Sequence, residues 1–381
     1  MTHEVDISGI VPLYGQEEWN WCGAASAQMI MDGYPDPAFR IFIPQIDIWN
    51  SIQAHNSADP INQAWHTDPQ GEEGCLMDLN PPPGGTWNVH MDTDRDEVMF
   101  DILYWMNKNS YPVAVCINAW AHWSVIVQYK TDIEPVSGST PTLEEITIHD
   151  PLPEDNGTVN NMLGNIWFAT LWADAVTVNG GGTWANNWVA VIEPPVVKGK
   201  VKVKVVERVG EKIISPEEAI ESAKKWIKEL GLAKKHSYRI LQKPDIVNQT
   251  PLLIREQIRG KKVTDYYIVP FGLKKEEEYT RISIIINAYT GDFEEIGAFR
   301  KPLHYLTEKE SIRIAAKALG LKRSEIRDVK ARLMFQSSKL THIRTYPFWE
   351  ITIKTPERER VLYIDQIGKV HKMIEQPQPG D

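Results

Sequence analysis

Residues 15–34 read GQEEWNWCGAASAQMIMDGY, and the fold of the first half of the chain turns on them. Trp19 and Trp21 lead into Cys22. Gly23, Ala24, Ala25 and Ser26 follow, and then Met29, Ile30 and Met31 turn apolar at helical spacing. A structural cysteine would sit inside an apolar stripe; this one sits at a boundary. A helix that starts at Cys22 puts the thiol where the first backbone N–H groups have no intrahelical partner. The positive end of the helix dipole favours negative charge there. A thiolate so placed is a nucleophile at neutral pH. The small residues after it are expected to leave room for a substrate backbone. Gln16, earlier in the stretch, is expected to bring its side-chain amide near the cysteine. With the Cys22 backbone N–H it would supply two donors to a developing oxyanion.

Such a nucleophile needs a base that later acts as an acid. Among ten histidines, His122 fits best, because AWAHWSVIVQY sets it at the mouth of a strand beside aromatic residues. The base needs an orienting partner. Asp150 ends the next strand, EEITIHDP, and two successive antiparallel strands would bring the two residues side by side. His149, next to Asp150, would point to the opposite face.

The rest of the chain sets the frame. At 381 residues it is long enough for two or three domains. Residues 1–195 hold 4 Lys and Arg against 26 Asp and Glu, whereas residues 196–381 hold 37 against 25. Of the 14 tryptophans, 12 lie before residue 196. These are two compositions, and their opposite charges favour docking of the acidic half on the basic half, screened beyond about 8–10 Å at ordinary salt. In the basic half Lys and Arg alternate with Glu, the mark of a solvated face and not of a nucleic-acid surface. No apolar run approaches the ~18 residues of a transmembrane helix, and the start MTHEVDISGI does not read as a signal peptide. Three cysteines, with no C-x-x-C spacing, predict neither a disulfide framework nor a metal site. Cys116 alternates with Val113, Val115 and Ile117 as a core residue, and Cys75 falls in a Gly/Pro-rich stretch, residues 56–88, read as a long loop. DTDRDE, before an amphipathic run to Asn109, reads as a helix start and not as a calcium loop.

The boundary between the halves is expected near Glu193–Lys200, followed by an exposed or edge strand in VKGKVKVKVVERV. Beyond it lies a repeat. Ser215–Glu218 and Thr307–Glu310 are capping boxes that each open an amphipathic helix. Both helices stop at a Leu-Gly-Leu, with Gly231 and Gly320 as the terminators. Strands and a glycine turn follow each, at Gly291 and Gly368. The second half is thus predicted as a tandem pair of helix-then-antiparallel-sheet units, an α+β pattern.

Gln16, Cys22-Gly-Ala-Ala, His122 opening a strand, and Asp150-Pro151 together make residues 8–195 resemble papain-like cysteine peptidases, the C39-like branch and the related AvrRpt2-type proteases most closely. The resemblance implies a Cys22–His122–Asp150 triad, with Gln16 at the oxyanion hole, hydrolysing peptide or protein substrates through a thioester, without metal or organic cofactor. Asn187, in an Asn-Asn-Trp echo of the papain motif, is the reserve for Asp150. Trp19, Trp21 and Trp123 are candidates to line subsites. The second half resembles, more loosely, tandem PepSY units, here residues 196–302 and 303–381, which implies a secreted or cell-surface protein, with a cytoplasmic one as the alternative. Two other functions stay open: an amidase or acyl transferase acting on a non-protein amide, and a non-catalytic binding module, which an unreactive, buried Cys22 would favour.

Overall fold

The computed structural model describes residues 2–58, 65–80, 87–118, 122–175, 182–192, 198–204, 210, 212–257, 264–322, 325–338, 341–356 and 358–375. The chain is mixed α+β, with mostly antiparallel strands, and divides into two compact units, Met1–Val206 and Glu207–Pro377. Among the described residues no helix is long and apolar enough to cross a membrane.

In the first unit, α1 (Cys22–Asp32) is buried on every side, and only Asp32 escapes full burial. It packs against α2 (Gln45–His55), α3 (Pro69–Leu79) and the strands β3 (Val113–Ile117) and β4 (His122–Thr131). A helix surrounded in this way needs small residues where neighbours come close, and apolar ones elsewhere. The sheet runs β6-β5-β4-β3-β7-β2, antiparallel throughout, with β5 at Leu143–Asp150, β6 at Thr158–Leu163, β7 at Trp188–Ile192 and β2 at Asn88–Asp92. β1 (His3–Asp6) extends the β4 ladder past the end of β3. α4 (Arg95–Asn109) starts where Asp94 accepts from the N–H groups of Asp96 and Glu97, so DTDRDE is a helix cap, as its acids suggested.

Two expectations need correcting here. The stretch 56–88 is not one long loop, because α3 lies within it. Asp68 accepts the Gly71 N–H at 2.7 Å and Pro69 opens the first turn, a start signal hidden among breakers. Cys75 is accordingly a buried helix residue. Part of that stretch, residues 59–64 and 81–86, lies outside the described residues. The first unit also runs beyond residue 195. Val201 is buried, its N–H bonds the Asp96 carbonyl, and Leu143 N–H bonds the Lys202 carbonyl at 2.8 Å. Of the predicted edge strand, residues 198–204 form only an isolated parallel bridge, Thr142 to Lys202, and 205–209 lie outside the described residues.

The second unit carries the duplication. α6 (Pro216–Glu229) and α7 (Glu308–Ala318) both begin with reciprocal capping boxes: Ser215 with Glu218, and Thr307 with Glu310. Gly231 and Gly320 stop them with φ of 60° and 67°, conformations that side chains with a Cβ avoid. Each helix is followed by four antiparallel strands: β9 (Leu252–Glu256), β10 (Thr264–Leu273), β11 (Thr280–Asn287) and β12 (Phe293–Leu303), then β13 (Asp328–Phe335), β14 (Phe348–Lys354), β15 (Glu359–Ile364) and β16 (Val370–His371). Short β8 (Ile246–Asn248) adds to β10.

The two copies meet where β9 and β13 pair parallel, Arg255 opposite Met334 and Glu256 opposite Phe335. Tyr267 bonds the Ile214 carbonyl, just before α6, and Trp349 Nε1 bonds the Leu306 carbonyl, just before α7. The registers through β9 and β13 put Tyr267 and Trp349 on opposite faces, so the helices cover opposite faces. Arg344, from the β13–β14 connection, is buried against carboxylates of the first copy: Glu256 at 2.8 Å, Glu294 at 2.5 Å and Glu295 at 3.6 Å. The two copies, expected at 196–302 and 303–381, therefore share one compact unit that begins at Glu207 and not at 196.

Candidate active site

β4 and β5 pair antiparallel with Val125 opposite His149 and Ile126 opposite Ile148, which carries Asp150 toward Ser124. His122 and Ser124, two apart on one strand, share a face. The result is a closed set of bonds around one carboxylate. His122 Nε2 donates to Asp150 Oδ1 at 2.9 Å, Ser124 Oγ donates to Oδ2 at 3.0 Å, and Leu152 N–H donates to Oδ1 at 2.8 Å. Three donors hold the carboxylate in one orientation.

Cys22 stands at the first position of α1, as the small-residue pattern predicted. The Trp123 backbone N–H donates to its Sγ at 3.4 Å, and the His122 imidazole also bonds the thiol. With Nε2 taken by Asp150, Nδ1 is the nitrogen left for sulfur. Burial on its own would lower the His122 pKa. The Asp150 charge, the bond to it and the thiol override that and push it up to about 10. The protonated imidazole is thus favoured beside Asp150. By contrast, burial pushes the thiols of Cys75 and Cys116 well above the usual range, which leaves them protonated and inert.

Gln16 is brought to this site by its backbone. Its N–H bonds the Pro151 carbonyl and its carbonyl accepts from Asp155 N–H, which ties its loop to the turn after Asp150. Gly15 is required at this crossing, because a Cβ there would lie 2.4 Å from the Asn156 nitrogen. The side chain does something other than expected. Its amide nitrogen donates to the carbonyls of Glu18 at 3.0 Å and Trp19 at 2.7 Å, which uses both hydrogens. Among the described residues its Oε1 is buried with no hydrogen-bond partner. The turn that precedes Cys22 thus takes the donors that the sequence reading expected at an oxyanion.

The small residues after Cys22 also have a different job. A Cβ on Gly23 would stand 2.3 Å from the Thr67 methyl, and Ala24, Ala25 and Ser26 are wholly buried. They admit Thr67 and the surrounding core, not an open substrate channel. Trp123 is likewise core: its indole N–H bonds the Thr67 carbonyl. Trp19 is exposed and Trp21 half-buried, stacked on Trp49 at 5.7 Å between ring centres. Asn187 donates to the Ala185 carbonyl, while His122 Nε2 belongs to Asp150. His149 turns to the other face, where burial lowers its pKa to about 4. The Ser124 hydroxyl and the N–H groups of Trp123 and Leu152 escaped sequence reading. Only the strand pairing exposes their roles, although a hydroxyl two residues after a candidate base is a usable signal.

No family model matches this chain, and no curated protein matches it. Among solved structures, the C-terminal domain of YpeB from Bacillus megaterium is similar at 13% identity, over 60% of this chain and 82% of that one, with a TM-score of 0.18. A likeness that slight carries no argument about fold or function.

Proposed function

We propose that the first unit is a papain-like cysteine peptidase. The observation that carries this reading is the buried relay Asp150–His122–Cys22, with the thiol at a helix N-terminus. Cys22 Sγ attacks a peptide carbonyl carbon, and a C–S bond forms as the carbonyl oxygen takes up negative charge. His122 gives the proton on Nδ1 to the leaving nitrogen, the C–N bond breaks, and a thioester remains. Water attacks the thioester, His122 takes its proton, and the acid leaves with the thiolate restored. Asp150 keeps the ring oriented and stabilises the imidazolium throughout. The Cys22 backbone N–H is one donor to the oxyanion; Gln16 becomes the second only by giving up a bond to Glu18 or Trp19. The same steps on a non-protein amide would make an amidase or acyl transferase, which a substrate panel separates from a peptidase.

Two observations favour a second reading, a binding module without catalysis. Cys22 is 0% exposed, and both hydrogens of the Gln16 amide are taken by the carbonyls of Glu18 and Trp19. Alkylation of Cys22 by iodoacetamide across pH 4–9, read by mass spectrometry beside His122→Ala, decides between the two. Labelling well below pH 7 that is lost in His122→Ala supports the peptidase. Labelling only near pH 8–9, or none, supports the binding module. The duplicated second unit reads as a PepSY-like pair.

A further inference from the structure

An exposed apolar run lies at the start of α2, whose Trp49 stacks on Trp21, the residue before Cys22. Phe39, Ile41, Phe42 and Ile46 are all exposed, Phe42 by 61%, along a single short run of chain. Gln45, buried within that run, bonds the Gly15 carbonyl and accepts the Glu17 N–H, so the run lies against the loop that carries Gln16. Tyr14 meets the Phe42 ring edge-on at 5.9 Å. One turn along α2 from Ile46, on the same face, Trp49 stacks on Trp21, the residue before Cys22. Exposed Phe42 and Ile46, four residues apart, and the half-buried Trp49 thus supply an apolar band on the side of the unit where Trp21 caps α1. Acids flank it in sequence and in the adjoining loop: Glu17, Glu18, Asp36 and Asp47 are exposed, and the Glu17 N–H bonds Gln45. The one cation in the run, Arg40, is tied to the carbonyls of Tyr34 and Pro35.

We infer that this band recognises polypeptide segments that combine bulky apolar with basic side chains. Apolar residues of such a segment would cover Phe42, Ile46 and Trp49, and its lysines or arginines would face the acidic border. The charge of residues 1–195, with 26 acids against 4 bases, draws the same partner from a distance. A neutral polar peptide would leave the band uncovered, and an acidic one would meet like charge. The inference rests on the peptidase reading for its name as a substrate site, but its binding test does not depend on cleavage.

The test uses the full chain with Cys22→Ala, and a fluorescently labelled, amidated peptide of alternating leucine and lysine, followed by anisotropy. Saturable binding is expected. It should weaken by at least about tenfold when serine replaces the leucines, when glutamate replaces the lysines, and when the protein carries Phe42→Ser with Ile46→Ser. Both protein positions are exposed, so these changes leave the core intact. Raised salt should weaken binding further. Equal binding of the three peptides, no binding of any, or full affinity in the Phe42/Ile46 variant would overturn the inference. Incubating the Cys22 protein with the same peptides separates the two claims. Binding without cleavage leaves the recognition surface standing and sinks the peptidase. Cleavage of all three peptides alike does the reverse.

Discussion

His122 Nε2 lies 2.9 Å from Asp150 Oδ1, and neither side chain reaches solvent. A buried imidazole alone would be neutral; this one is held as a cation because a carboxylate with two further donors faces it. Asp150→Asn keeps the size and loses the charge. It is expected to lower kcat/KM by about 10²–10⁴-fold, and to move the Cys22 alkylation profile toward that of a free thiol. Unchanged reactivity in Asp150→Asn would mean that the relay is structural only.

The same pair couples stability to pH in a definite direction. The folded His122 pKa, about 10, lies above the unfolded value of 6.5. The folded state therefore holds the proton more tightly, and its contribution is full below about pH 6.5 and lost as pH rises through about 10. Denaturant titrations at pH 7 and pH 10 should show wild type losing more stability than His122→Asn over that interval. A constant difference between the two proteins would contradict the assignment.

His149 predicts the opposite dependence one residue away. Burial depresses its pKa to about 4, so its contribution is present above the unfolded value of 6.5 and lost as pH falls through about 4. His149→Gln should blunt acid destabilisation between those limits while leaving Cys22 alkylation alone, because the side chain faces away from Asp150. Thermal melts at pH 7 and pH 4.5 test this; equal acid sensitivity in both proteins would count against it.

On the peptidase reading, Ser124 acts by positioning Asp150. Its hydroxyl donates to Asp150 Oδ2, away from any reacting atom. Ser124→Ala should reduce kcat by about tenfold at nearly constant KM, with recovery in Ser124→Thr. A loss confined to KM, or no recovery with threonine, would point instead to packing.

Arg344 sits among Glu256, Glu294 and Glu295 with no solvent contact. Arg344→Met removes the cation and leaves buried carboxylates behind, which is expected to cost about 3–5 kcal/mol of unfolding free energy. Replacing Glu256 by Gln as well should recover part of it, since one of the stranded charges is then gone. Chemical denaturation of the single and double variants checks both statements.

What could be read from the sequence followed the range of the interactions. The helix start at Cys22, the strands ending at Asp150 and beginning at His122, and both capping boxes rest on neighbours in sequence. They are visible as spacing and alternation. The orientation of the Gln16 amide depends on which carbonyls the Glu18–Trp19 turn presents, and no spacing encodes that. Gly23 looked like room for substrate because its true neighbour, Thr67, arrives from a distant segment. α3 was obscured by the glycines and prolines around it, although Asp68-Pro69 is a legible start. The placing of Arg344 among first-copy acids required knowing that β9 and β13 are partners.

That partnership has a wider consequence. Each copy offers an edge strand, β9 or β13, to the other, and the two edges run in the same direction with the helices on opposite sides. An arrangement of this kind is a rotation by half a turn about the strand axis, and it closes on itself at two members. Once β9 has met β13, neither edge is left to receive a third copy. The duplication in the second half is therefore a dimer written into one chain, and not the opening of a longer array.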